Sequence, residues 1–163
     1  MHAEFIDVSK QFIEHLQKCL SQNIIAVGTT SLRTIESLYW LGVKTINDPS
    51  IQPDELFISQ WDPYELSVSN ITADETLTAL LNWLDNHKSE RLVTKTQIII
   101  APGYQFKIVK ALITNFHQPQ STLLLLVAAV TGNNWKNIYS YALENDFRFL
   151  SYGDGSLLWL HQE

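Results

Sequence analysis

Apolar positions along the chain fall into two recurring spacings. Phe5, Ile6 and Val8 form a short apolar run that predicts a strand. Ser9 follows as a helix N-cap, because Phe12, Ile13, Leu16 and Leu20 recur at helical spacing behind it. Ile24 to Val27 reads as a buried strand, closed by Gly28. Thr30 then caps a helix expected to reach about Leu41, with Gly42 as its C-terminal stop. Strand, helix, strand and helix in succession argue for an α/β layered fold.

Between Lys44 and Asn70 the pattern breaks. Pro49, Pro53 and Pro63 predict an irregular segment around one short strand, Leu56 to Ile58. Thr72 and Glu75 make a capping box for a helix to about His87, with Leu77, Leu80, Leu81 and Leu84 as its buried stripe. After a polar turn, Gln97 to Ala101 predicts a buried strand stopped by Pro102 and Gly103, and Lys110 to Thr114 predicts the next. Asn115 to Gln120 is a loop containing Pro119. Ser121 caps an almost wholly apolar helix ending near Gly132, which should be buried. Asn134 caps a last helix through Leu143, and two strands, Phe147 to Tyr152 and Leu157 to Leu160, flank Gly153 and Asp154. Neither an internal repeat nor a flexible linker interrupts the pattern, so residues 1–163 read as one domain or a large piece of one.

Composition narrows the classes. Hydrophobic residues make up 45% and charged residues 17%, as in an ordinary globular protein. The longest apolar run, Leu123 to Val130, is far short of the roughly 18 residues of a membrane helix. The opening residues lack a basic region followed by an apolar one, so a signal peptide is not expected. One cysteine, Cys19, excludes an internal disulfide and a cysteine zinc site, and it is expected to be a buried small hydrophobe. Cytoplasm is the expected compartment. The net charge of −6 and the scattering of eleven Lys and Arg residues supply few phosphate contacts, Lys107 and Lys110 being the nearest approach to a basic stretch.

Three segments lie where loops at strand ends would hold a ligand. In Gly28 to Arg33, hydroxyl residues open a helix, and Arg33 in a first turn opposes the helix dipole unless an anion offsets it. Alternatively, Thr30 only caps the helix and Arg33 pairs with Glu36. Neither a dinucleotide fingerprint nor a P-loop lysine is present. In Thr114 to Thr122, His117 suits acid–base work, or Asn115 and His117 only satisfy loop backbone. In Ser151 to Asp154, Asp154 is either a base or the holder of a turn. His2 and Glu4 share one face of the opening strand, as a proton-transfer pair or as a solvated edge. The five tryptophans read as core and interface rather than a stacking platform.

Five blocks, in order, carry a resemblance. They are Met1 to Glu4, Ala26 to Ser37, Pro102 to Phe106, Leu112 to Leu124 with its Thr-Asn-Phe-His core, and Phe149 to Asp154. Together they resemble the S-adenosylmethionine:tRNA ribosyltransferase-isomerase family of queuosine synthesis. The resemblance implies a layered α/β/α core fragment in which residues 1–163 are the C-terminal part. The family's N-terminal part and inserted β-barrel domain are absent from it, and residues 44–95 form an irregular segment plus an inserted helix covering the site or contacting tRNA.

The implied activity is transfer and isomerisation of the ribosyl group of S-adenosylmethionine onto the aminomethyl-deazaguanine base of tRNA. Adenine and methionine leave, and the product is the epoxide precursor of queuosine. S-adenosylmethionine is a substrate there, and neither a cofactor nor a metal is implied. By motif, His2, Glu4 and His117 are the expected proton-transfer residues. Thr29, Thr30, Ser31 and Asn115 are expected to hydrogen-bond the donor or base, and Arg33 to meet a carboxylate or phosphate. Tyr104, Phe116 and Tyr152 are expected to stack on a ring, and Asp154 to contact substrate. The expected partners are S-adenosylmethionine and tRNA, the latter held mainly by the absent part, with self-association through exposed apolar faces and without a membrane. Two alternatives remain, an unrelated small-molecule α/β enzyme and a non-catalytic interaction module.

Overall fold

The computed structural model describes residues 2–66, 70–118 and 121–160. In chain order the elements are β1 (Glu4–Ser9), α1 (Lys10–Lys18), β2 (Ile25–Val27), α2 (Thr29–Asn47), α3 (Asp62–Glu65) and α4 (Ala73–Asn86). There follow β3 (Arg91–Thr96), β4 (Ala111–Asn115), α5 (Thr122–Thr131), a 3-10 turn (Gly132–Asn134), α6 (Trp135–Glu144) and β5 (Gly155–Trp159). The chain is mixed α/β. Its strands form two small sheets rather than one continuous sheet. β1 pairs antiparallel with β3, whereas β2, β4 and β5 lie in that order, β2 parallel and β5 antiparallel to β4. Among the described residues no helix is long and apolar enough to cross a membrane.

Local capping sets several helix starts. The Ser9 hydroxyl accepts the Phe12 amide, and Ser121 accepts that of Leu124. Thr72 and Glu75 close a reciprocal capping box that starts α4. Leu77, Leu80 and Leu84 of α4 are buried, and the helix packs on α1 and α2. Leu81 is partly buried against the same core.

Helix α2 departs from its expected length. It runs through Gly42 to Asn47, and Gly42 marks a close crossing with α4 instead of a stop. A Cβ at Gly42 would lie 2.2 Å from the Thr76 carbonyl oxygen, so a hydrogen there lets the two helices touch. The same helix sends polar side chains into the interior. The Ser37 hydroxyl bonds that of Thr96 at 2.8 Å, and Tyr39 donates to the Ile71 carbonyl at 2.8 Å. Lys44 donates to the Phe57 carbonyl at 2.7 Å and pairs with Asp62 at 2.6 Å.

Other segments also differ from the pattern. Residues 91–96, expected as part of a turn, form β3, with Leu92, Thr94 and Thr96 on the inner side and Arg91, Val93 and Lys95 outside. Gln97 to Ala101 is apolar and buried at Ile98, Ile99 and Ile100, yet it is not a strand. Its amides go instead to the segment at 58–60, Gln97 to the Ile58 carbonyl and Ile99 to that of Gln60. Leu56 to Ile58 contributes one isolated bridge, Ile58 with Thr96. Phe147 to Tyr152 forms no strand. Phe147 and Phe149 pack on Phe116, and the chain turns at Leu150, whose φ is 68°. The beginning of α5 is more open than an all-apolar helix suggests, Leu125 being 42% exposed. Cys19 is half-buried, 3.7 Å from the His15 ring. Pro119 lies outside the described residues.

The second sheet leaves one face uncovered. Ile25, Ala111 and Trp159 lie across it in register, followed by Val27, Ile113 and Leu157. Ala111 is buried, but Val27 is 66% exposed and Trp159 50%. β2 is therefore covered on the Ala26 side only.

The α2–α4 crossing makes a prediction of sign. Ala is a better helix former than Gly by about 1 kcal/mol. Forcing a methyl against the Thr76 backbone costs more, typically about 1–3 kcal/mol for overpacking and occasionally beyond it. Gly42→Ala should therefore lower the urea midpoint at unchanged m-value, whereas a raised midpoint would mean the crossing is loose.

Candidate functional site

Strand directions bring three sequence-predicted segments to one end of the second sheet. β2 runs parallel to β4, so Gly28 to Ser31 and Asn115 to His117 follow the same sheet end, and the Gly28 amide donates to the Ile113 carbonyl at 2.8 Å. β5 is antiparallel, so Gly155 pairs with Asn115 and the preceding turn reaches that end too. Asn115 donates from Nδ2 to the Gly153 carbonyl at 3.1 Å and to that of Asp154 at 3.4 Å.

Gly28 itself, not Thr30, occupies the N-cap position of α2, with φ at +91°, and no side chain caps the helix. The helix starts at Thr29, which is half-buried, while Thr30 and Ser31 are exposed. The first-turn amides thus face outward uncapped, with the positive end of the helix dipole behind them. His117 is half-buried. Its ring Nε2 lies 3.0 Å from the Thr114 hydroxyl, and its backbone amide donates to the Tyr139 hydroxyl at 3.0 Å. Burial holds the imidazole below the ordinary histidine pKa of 6.5.

Arg33 sits one turn further into α2. It is 1% exposed and does not pair with Glu36. Its Nε donates to the Ile98 carbonyl at 3.1 Å, and Nη1 is bonded to the Glu4 carboxylate at the start of β1. Arg33 Nη2 and Glu4 Oε2 are buried with no hydrogen-bond partner among the described residues. A buried donor and acceptor left open side by side are costly unless a polar group meets them. Burial lowers the pKa of Arg33, and the charge of Glu4 opposes that effect. Glu4 shares its strand face with the buried Ile6, while His2 lies ahead of the strand and is exposed.

The remaining candidates are placed differently. The Phe116 ring is 4% exposed, its neighbours being the rings of Tyr139, Phe147 and Phe149, so it is a core aromatic. Tyr152 is 97% exposed. Asp154 accepts the Arg148 backbone amide at 2.8 Å and pairs with its guanidinium at 3.1 Å, which closes the 148–154 turn. Arg148 holds the Asp154 carboxyl below the usual range. Tyr104 is away from the sheet end. Its hydroxyl accepts from Trp40 Nε1 at 2.9 Å and donates to Glu36 at 2.7 Å.

Glu36 is the residue that sequence reasoning treated only as a partner for Arg33. It is fully buried and accepts four hydrogen bonds. Oε2 takes the Tyr104 hydroxyl and the Lys107 amide at 2.9 Å, and Oε1 takes the amides of Ile108 at 3.0 Å and Val109 at 2.9 Å. Burial still raises its pKa, against the pull of those four donors. The sequence signal that was available is its place at helical spacing among the apolar Leu32, Tyr39, Trp40 and Val43.

With the geometry established, comparison with known proteins identifies the class. The family model described as a queuosine biosynthesis protein matches residues 1–158, and the chain belongs to that family. Curated relatives bear the name S-adenosylmethionine:tRNA ribosyltransferase-isomerase. That of Dichelobacter nodosus is 33% identical, the match covering 97% of this chain and 33% of the relative. That of Buchnera aphidicola (subspecies Schizaphis graminum) is 36% identical over 94% of this chain and 32% of the relative. The crystal structure of the Thermotoga maritima S-adenosylmethionine tRNA ribosyltransferase superposes with a TM-score of 0.58 at 31% identity. That match covers 94% of this chain and 39% of the other. The chain thus spans about a third of the length of the curated relatives it matches.

The Glu36 arrangement is testable by an isosteric change. In Glu36→Gln one oxygen becomes an NH2 that faces two donors, and each buried donor left unpaired costs about 1–3 kcal/mol. Urea unfolding should show a loss of about 2–6 kcal/mol. An unchanged midpoint would mean that the 104–109 loop does not depend on this carboxylate.

Proposed function

We propose that this chain carries part of the site that transfers and isomerises the ribosyl group of S-adenosylmethionine onto the 7-aminomethyl-7-deazaguanine base of tRNA. Adenine and methionine depart, and an epoxycyclopentanediol, the epoxyqueuosine side chain, is formed. Because relatives are about three times longer, the complete reaction belongs to a chain of the relatives' length. Layered α/β/α packing with further elements, the finer form of the fold, belongs to that longer chain as well.

The observation that carries the reading is the pair of buried Arg33 with part-exposed Glu4, which leaves one buried donor and one buried acceptor open. Such a pair offers a guanidinium N–H to a substrate oxygen and a carboxylate oxygen to a substrate hydroxyl. It lies one helical turn from the uncapped amides of Thr29, Thr30 and Ser31, which suit a carboxylate such as that of methionine. His117, unprotonated at neutral pH by virtue of its burial, is suited to accept a proton, and Glu4 and His2 are the other proton-transfer candidates. Asn115 and Asp154 frame the same sheet end, and exposed Tyr152 is free to stack on a ring. Tyr104 and Phe116 act by holding the fold rather than by meeting substrate at this end. The uncovered apolar face of the second sheet supports packing against further protein.

The reading is tested in a chimaera in which this chain replaces the matching third of the Dichelobacter nodosus relative. Adenine release from S-adenosylmethionine should require tRNA and should fall by about 10²–10⁴-fold in His117→Ala at an unchanged melting temperature. The active form of a base is deprotonated, so the rate should rise with pH through a pKa below 6.5 and then level. Near-normal turnover in the variant removes His117 from the chemistry.

A further inference from the structure

A hollow lies at the other end of the second sheet. It has a volume of about 590 Å³, between the 102–106 loop and the corner where α5 gives way to α6. Leu160, which lines it, donates its amide to the carbonyl of Lys110 at the start of β4. Ala111 and Asn115 are the two ends of that strand, about 13 Å apart at ~3.3 Å per residue. The hollow is therefore distinct from the His117 end.

Its lining has a definite chemistry. Tyr104, Phe106 and Trp135 supply aromatic surface, Gln105 and Asn133 supply primary amides, and among the described residues no charged side chain lines it. Gln105 and Asn133 are exposed, and neither amide has a side-chain hydrogen bond among the described residues. Aromatic walls with free amides suit an uncharged planar ring whose edge both donates and accepts. They offer no charged partner to a carboxylate or a phosphate.

The stretch of chain that supplies most of the lining is basic although the protein is acidic. From Glu90 to Glu144 the chain has no Asp or Glu between those two residues, yet it carries Arg91, Lys95, Lys107, Lys110 and Lys136. Lys107 and Lys136 directly follow lining residues Phe106 and Trp135. A second hollow of about 150 Å³ shares Gly103, Tyr104 and Gln105 with the first and includes Lys107 in its wall. Of the acidic groups near this wall, Glu36 is buried behind Tyr104 and occupied by four donors, and Asp62, which with Glu65 flanks Pro63 and Tyr64 of the second hollow, is paired with Lys44.

We propose that this hollow is a nucleobase site for a single-stranded stretch of RNA, with Lys107 and its neighbours meeting the adjoining phosphates. The inference rests on the reading that the chain acts on RNA, and it assigns the contact to a surface apart from the sheet end where the donor is handled. Stacking on aromatic side chains is how single strands are held without strict sequence preference, while lysines follow the backbone.

The test uses the full chain and a fluorescein-labelled seven-nucleotide RNA, followed by anisotropy at two salt concentrations, with adenosine and S-adenosylmethionine as parallel ligands. RNA should bind more tightly than adenosine. Phe106→Ala should weaken RNA binding about tenfold, as expected for loss of one stacked base. The exposed pair Gln105→Ala with Asn133→Ala should weaken it without altering the melting temperature. Lys107→Gln should lower the salt slope by about 0.7. S-adenosylmethionine binding should be untouched by these changes. RNA binding unaffected by the amide pair, or equal affinity for adenosine and RNA with no effect of Lys107→Gln, would overturn the proposal. RNA binding by this chain with no S-adenosylmethionine binding or adenine release by the chimaera would sink the donor reading and leave this one standing.

Discussion

The carboxylate of Glu36 enters the interior on α2 and gathers four donors from one loop, three of them successive backbone amides. Without that acceptor, residues 107–109 would bury N–H groups with no partner, which a folded chain rarely tolerates. The loop that it fixes carries Tyr104 and connects the buried 97–101 segment to β4. Trp40, one turn further along α2, donates to the same Tyr104 hydroxyl, so helix and loop are joined twice. Arg33 and Ser37 extend the arrangement to β1 and β3. One helix thus aligns both sheets, and its buried polar residues are its points of attachment.

This architecture separates two chemistries. At one end of the second sheet, uncapped helix amides, His117 and the Asn115–Asp154 turn converge, with the Arg33–Glu4 pair deeper on the same helix. At the other end lies an uncharged aromatic hollow bordered by lysines. The reaction proposed above joins a small charged donor to a large polyanion, and the donor's groups and the phosphates of the acceptor need different environments. The acidic total charge obscures this, since the acidic residues lie outside the stretch from 91 to 143.

Much of the fold was legible where local chemistry decides it. Ser9, Thr72 and Ser121 cap the helices that their spacing indicates, and Gly28 ends β2. What was not legible depends on contacts distant in sequence. Gly42 resembles a helix stop because glycine so often is one, and only the approach of Thr76 shows its other use. The apolar run 97–101 resembles a strand, but its amides are taken by the segment at 58–60 and its Ile98 carbonyl by Arg33. β3 was missed although Leu92, Thr94 and Thr96 alternate with outward residues, because two threonines weaken the apolar signal. The candidate segments were chosen as loops at strand ends, three of which the second sheet brings to one end, whereas the pairing of Arg33 with Glu4, far apart in the chain, could not be read from spacing. Glu36 passed as a surface partner for the same reason.

The central claim is that this chain carries the part of a donor site built on Arg33 and Glu4, and calorimetric titration of the Dichelobacter nodosus chimaera with S-adenosylmethionine tests it most directly. The account predicts saturable binding with one site per chain, lost on Arg33→Met or Glu4→Gln in protein that still melts cooperatively. Absence of heat from binding, or binding indifferent to both substitutions, would contradict it.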